Sequence, residues 1–183
     1  MSLANTRIAA RLLAVAALAA LTAGCFQPMY AERSDGTPAL RDKLSGIELP
    51  PIDKPNASPE ARIGVEVRNA LAFKLYGNAT GTAPTHKLVL QFSTSRSSLL
   101  VDPNTGLPTS ENFGIDAQYK LVELASNKQV MTGTTFSRVT YDMPGSYQRF
   151  ARTRALRDAE DRAANEIAEN IQTRLASYFF AGT

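Results

Sequence analysis

Between Phe113 and Val122 the side chains change character at every step. Phe113, Ile115, Ala117, Tyr119 and Leu121 alternate with Gly114, Asp116, Gln118, Lys120 and Val122. A period of two belongs to a β-strand, and a strand with one apolar face needs a second layer over that face. The chain holds two helices suited to the task. Ser58-Pro59-Glu60 opens the first with a cap, a proline at the first helical position and an acid in the first turn. Ala61 stands where Glu or Gln would close a capping box. Ile63, Val67, Leu71 and Leu75 then recur every four residues beside Ala70, and Gly77-Asn78 after Tyr76 supplies a left-handed stop. The second helix is long, over about residues 147–180. Leu156, Ala159, Ala163, Ile167, Ile171, Leu175 and Tyr178 mark its apolar stripe, and Arg157, Asp161, Glu169 and Arg174 its opposite side.

Three further segments read as strands. Leu88, Leu90 and Phe92 alternate with Val89, Gln91 and Ser93, and this strand extends through a polar stretch to Val101. Asp102-Pro103-Asn104-Thr105-Gly106 and Pro108 make a loop, and Ser126-Asn127-Lys128 a hairpin turn. Residues 129–141 are a Thr-rich strand carrying Phe136, Val139 and Tyr141, whose inward face the pattern leaves open. Pro144-Gly145-Ser146 ends the sheet. Ile47 and Leu49 share a face of a short or edge strand stopped by Pro50 and Pro51. The expected order is β-α-β-β-β-α: an α+β two-layer sandwich of about four strands packed by two helices.

The N-terminus reads as an address. Arg7 and Arg11 precede an uninterrupted apolar run, Leu12 to Leu21, too short for an ordinary transmembrane helix. Thr22-Ala23-Gly24-Cys25 follows and resembles a bacterial lipobox, with Thr22 where leucine is usual. Residues 1–24 are thus expected to be a lipoprotein signal peptide, 25–44 a lipidated tether and 45–183 the folded domain. By that resemblance Cys25 carries a diacylglycerol and an N-acyl chain. Each buried methylene contributes ~0.8 kcal/mol, so several chains hold where one would not. Phe26 stands where the inner-membrane retention signal has aspartate, which points to the outer membrane.

Charge and composition exclude several classes. Without Arg7 and Arg11, 18 basic residues face 17 acidic ones, a balance of about +1 that gives no reason to expect nucleic acid as a partner. Cys25 is the sole cysteine and His86 the sole histidine, at a separation that favours neither a zinc site nor a Cys/His catalytic pair. No phosphate-cradling glycine loop or nucleophile motif is present, so no cofactor, metal or enzymatic activity is expected.

Cys25-Phe26-Gln27-Pro28-Met29-Tyr30 is similar to the opening of the LPS-assembly lipoproteins of the LptE family, with Met29 for the usual leucine and no glycine after the cysteine. The order of elements, the chain length and the last helix, introduced by Tyr141 to Tyr147 and continued by Asp158 to Ala163, resemble that family too. The resemblance implies a non-enzymatic protein on the periplasmic face of the outer membrane. It would dock with and plug the β-barrel LptD, assisting the barrel's assembly and the transport and insertion of lipopolysaccharide (LPS). An alternative stays open: a structural outer-membrane lipoprotein that binds peptidoglycan or another transporter.

A barrel plug meets a polar, wet lumen. Ser93, Ser95 and Ser97, with Thr132, Thr134 and Thr140, supply polar outer strand faces, as any solvated sheet would. Asp116, Lys120, Lys128 and Arg138 lie on or beside the same strands. Arg149, Arg152, Arg154 and Arg157 crowd the start of the last helix, where positive charge opposes the helix dipole. Their guanidinium groups suit LPS phosphates or barrel carboxylates. Pairing of Arg154 with Asp158 and Arg157 with Asp161 would instead be purely local. His86 reads as a surface residue at a strand start. Asn56-Ala57-Ser58 and Asn78-Ala79-Thr80 match glycosylation sequons by chance.

Overall fold

Ser58 starts the first long helix as its sequence dictates. Its hydroxyl accepts a hydrogen bond from the Ala61 amide at 3.0 Å, and Pro59 occupies the first turn, where no amide donor is needed. In a computed structural model that describes residues 39–77, 83–143 and 148–181, this helix, α2, runs Pro59–Tyr76. Gly77 ends it at φ 55°, its amide closing on the Phe73 carbonyl at 2.9 Å. The other elements are α1 (Leu40–Ser45), β1 (Ile47–Glu48), β2 (His86–Val101), β3 (Pro108–Glu123), β4 (Lys128–Asp142) and α3 (Arg149–Ala181).

The strands form one open sheet in the order β1-β2-β3-β4. β2, β3 and β4 are an antiparallel meander, and β1 joins the edge in parallel through Ile47 and His86. The crossover between β1 and β2 contains α2. Leu88, Leu90 and Phe92 on β2 and Phe113 through Leu121 on β3 turn their apolar side chains to the helices, and all are buried. Ile63, Val67, Leu71 and Leu75 of α2 and Ala163, Ile167, Ile171 and Leu175 of α3 meet them. The result is the α+β two-layer arrangement expected from the alternating patterns. Among the described residues no helix packs on the other sheet face.

Two details depart from the sequence pattern, and a third settles a strand face that it left open. Leu40–Ser45, whose residues 40–44 fall within the expected tether, is helical, and its Leu40 and Leu44 are buried, so the compact unit begins at Leu40. At the end of α3 the stripe passes through Phe179, which is buried, rather than Tyr178. In β4 the inward face is Ser137, Val139 and Tyr141, leaving Phe136 outside. Small residues continue that inward face: Gly133 lies opposite Tyr119, and the tyrosine ring lies across it.

His86 is half-buried rather than on the surface. Its ring meets Phe179 edge-on at 5.1 Å, joining the start of β2 to the end of α3. Burial lowers its pKa, against the opposing pull of Glu123. The unfolded chain therefore binds this proton more tightly than the folded one. Its contribution to stability is complete above the unfolded value of 6.5 and is lost as pH falls through 6.5 toward the lower folded value. Urea unfolding at pH 7 and pH 5 checks this: His86→Phe should flatten the decline between the two, and an equally steep decline in the variant would contradict it.

Candidate functional site

One end of the domain gathers chemistry that the core does not use. There β2 and β3 form a hairpin whose turn is tightly built. Asp102 receives the Gly106 amide on its carbonyl at 2.8 Å and the Asn104 amide on its carboxylate at 2.8 Å. Its own amide donates to the Leu107 carbonyl at 2.9 Å, and Gly106 sits at φ 66°, where a side chain would be strained. Around this rigid turn Leu99, Leu100, Val101 and Leu107 lie exposed, Leu100 at 64%. Register shifts between Ser98 and Leu100, and again between Leu100 and Val101, break the strand alternation that would otherwise hide some of them. Clustered exposed apolar side chains mark an interaction surface rather than a core.

β4 returns to the same end. Asp142 pairs with Ser110, and the Met143 amide donates to the Thr109 carbonyl at 2.8 Å. Helix α3 therefore starts near the hairpin root. Its first turn holds no acidic residue, and Phe150 there is 87% exposed. Arg152 reaches back to the Met143 sulfur at 3.9 Å. At 100° per residue the four arginines fan over roughly 200° of the helix circumference, so they form a collar and not one converging pocket.

The expected local ion pairs do not form. Asp158 accepts instead from Arg162 at 2.8 Å, and among the described residues no carboxylate lies within pairing distance of Arg149, Arg152, Arg154 or Arg157. Orientation explains the choice: an acid four residues before a base follows the helix dipole, whereas Arg154–Asp158 and Arg157–Asp161 run against it.

Behind the collar lies a buried hub that the sequence reading missed. Glu160 of α3 is 1% exposed. It pairs with Arg62 of α2, and Arg96 of β2 stands 3.5 Å from its other oxygen. Arg96 also rests over the Phe113 ring at 5.9 Å. Beside it the Tyr141 hydroxyl donates to Glu111 at 2.5 Å. Burial, then Glu111, pushes the Tyr141 pKa up to about 12. These contacts fasten the hairpin root to both long helices. The available signal was position: Glu160 falls four after Leu156 and three before Ala163, an acid on the apolar stripe.

The remaining candidates sit on the uncovered sheet face. Ser93, Ser95, Ser97, Thr132, Thr134 and Thr140 are all exposed there, as are Lys120 and, at the turn, Lys128. Nη2 of Arg138 donates to both carboxylate oxygens of Asp116, at 2.8 and 2.9 Å, and its Nη1 to the Ser137 and Ile115 carbonyls. Asn56 is exposed, while the sequon at Asn78 and the lipidation site Cys25 lie outside the described residues. Among the described residues no cluster of three His, Cys, Asp or Glu is placed to hold a metal, and no helix is long and apolar enough to cross a membrane.

Solved structures share this architecture. A protein from Caulobacter crescentus CB15 described as a lipoprotein is similar at 25% identity and a TM-score of 0.60, over 79% of this chain and 97% of that one. Rare lipoprotein B from Shewanella oneidensis shares the fold at 18% identity and a TM-score of 0.50, over 72% and 92%. The minor lipoprotein from Acinetobacter baumannii does so at 12% and 0.50, over 72% and 89%. Comparison with curated protein sequences finds no match. This fold is thus one that bacterial lipoproteins use. The chain belongs to the lipopolysaccharide-assembly family, LptE, which matches residues 44–175, and its role lies in LPS assembly.

Proposed function

We propose that this chain is an outer-membrane lipoprotein, anchored through Cys25 on the periplasmic face, that docks into and plugs the LptD β-barrel. In that place it assists barrel assembly and the transport and insertion of LPS. It works by binding and carries out no catalysis. The observation that carries this reading is the pole where four arginines, without carboxylate partners among the described residues, stand near an exposed leucine hairpin. LPS is an amphiphile with phosphates beside acyl chains, and such a pole offers it guanidinium donors and apolar contact together. The polar, uncovered sheet face suits a water-filled barrel lumen.

Reversing the four charges tests the site. Arg149, Arg152, Arg154 and Arg157, each changed to Glu, should weaken LPS binding by about a hundredfold, or ~3 kcal/mol shared among partly solvated contacts. The melting temperature should barely move, because Arg149, Arg154 and Arg157 are exposed and none of the four is ion-paired among the described residues. Unchanged LPS affinity in the reversed protein would remove the pole from the account. In cells, depletion of the chain should leave the barrel misassembled and LPS held in the inner membrane.

A further inference from the structure

The uncovered sheet face is not flat. A shallow depression of about 450 Å³ crosses the three long strands. Register places Gln91, Gln118 and Thr134 in one cross-strand row and Ser93, Asp116 and Phe136 in the next. All six are exposed, and Phe136 is 65% so, unusual for an aromatic residue in the middle of a strand. The following row explains how the floor is kept open. Gly114 has no side chain, and Arg138 lies across it, close enough that a Cβ there would come within 2.9 Å of the arginine Cδ. From that position Arg138 meets both Asp116 oxygens, and its guanidinium lies 5.6 Å from the Phe136 ring centre.

The chemistry of this depression selects its ligand. Asp116 and Arg138 cancel each other, so the floor has no charge to offer a phosphate or a carboxylate. An acyl chain would cover two amides and two hydroxyls without giving them partners, at a cost for each. What remains is a surface of amide donors and acceptors, hydroxyls and one exposed ring. An uncharged pyranose fits it: its hydroxyls exchange hydrogen bonds with Gln91, Gln118, Ser93 and Thr134, and its C–H face lies on Phe136. The volume lies within the usual range of ~300–1,000 Å³ for ligand sites.

We propose that this depression is a saccharide subsite and that it takes an uncharged hexose stretch of the LPS oligosaccharide. This assignment rests on the LPS-binding reading above. The depression shares β2 and β3 with the exposed apolar hairpin of that pole: from Ser93 to Val101 is eight residues, about 27 Å at ~3.4 Å each. A single amphiphile held at the pole by phosphates and acyl chains carries its sugars back along this face. Peptidoglycan strands bear anionic peptides, for which the neutral floor gives no counter-charge.

The test is a titration of the full mature chain, in detergent, with lipid-free, dephosphorylated core oligosaccharide, followed by amide chemical shifts. Saturable changes confined to residues 91–93, 116–118 and 134–136 are expected. Phe136→Ala should weaken binding at least fivefold, and Phe73→Ala, an exposed ring on α2, should leave it unchanged. No saturable change, or binding undiminished in Phe136→Ala, overturns the subsite. Equal binding of a muropeptide glycan strand overturns the LPS source. Intact LPS binding and barrel co-purification, measured on the same samples, separate the two levels. If both persist while the oligosaccharide fails to bind, the subsite falls alone; if they fail too, the underlying reading falls with it.

Discussion

Replacing Gly133 by alanine is expected to lower the unfolding free energy by about 3 kcal/mol, at the upper end of what overpacking a core costs. A Cβ at this position would come within 2.5 Å of Cζ of Tyr119 and would also meet the phenol oxygen. Neither side can yield easily. Tyr119 is 1% exposed beneath α3, and Gly133 pairs with it directly across β3 and β4. A strand glycine is itself unfavourable by ~0.5–1 kcal/mol relative to alanine. The substitution therefore gains that amount and loses several times as much to the clash. For a domain of this size the melting temperature should drop by about 10 °C. The cause is separable by a double-mutant cycle. In a Tyr119→Leu background, where the shorter side chain leaves room, Gly133→Ala should cost under about 1 kcal/mol. Equal costs in the two backgrounds would show that the ring is not what requires the glycine.

The second large effect concerns the anchor. Detergent-phase partition of the purified chain, compared with Cys25→Ala exported on a leader without a lipobox, should move the protein wholly from the detergent to the aqueous phase. At ~0.8 kcal/mol per methylene, losing even ten buried methylenes removes about 8 kcal/mol. That is between five and six powers of ten in partition. No helix among the described residues offers a substitute span. A Cys25→Ala protein that still entered the detergent phase would mean that the apolar hairpin, and not acyl chains, sets membrane affinity.

How much of this was legible depended on how plainly each residue's neighbours are implied by its place in the chain. β3 was readable because every inward residue from Phe113 to Leu121 is apolar and every outward one except Val122 is not. α2 was readable from both ends, since Ser58 and Gly77 solve local backbone problems with local means. β4 was not. Its inward face is continued by Gly133 and Ser137, a glycine and a serine, because Tyr119 fills the space above the first and Glu166 takes a hydrogen bond from the second at 2.7 Å. Those partners are distant in sequence, so alternation alone gives no hint of them. α1 is too short to show a period, and its two leucines are helical because they reach the core.

The candidate site was half visible. The arginine cluster is conspicuous in the chain, but that Asp158 would choose Arg162 followed from the direction of the helix dipole. The exposed leucines were hidden in a strand extension, and they separate from the core only because bulges rotate them. Glu160 lay on an apolar stripe, and its two arginine partners come from elements 98 and 64 residues earlier in the chain.

Docking into a barrel can be read directly. Solubilising envelopes in mild detergent and capturing the lipidated chain through a tag gives the most direct reading. A large outer-membrane β-barrel is expected to come down in a one-to-one ratio with the chain. Recovery of the chain without a barrel, or its sedimentation with cell-wall sacculi instead, would contradict it.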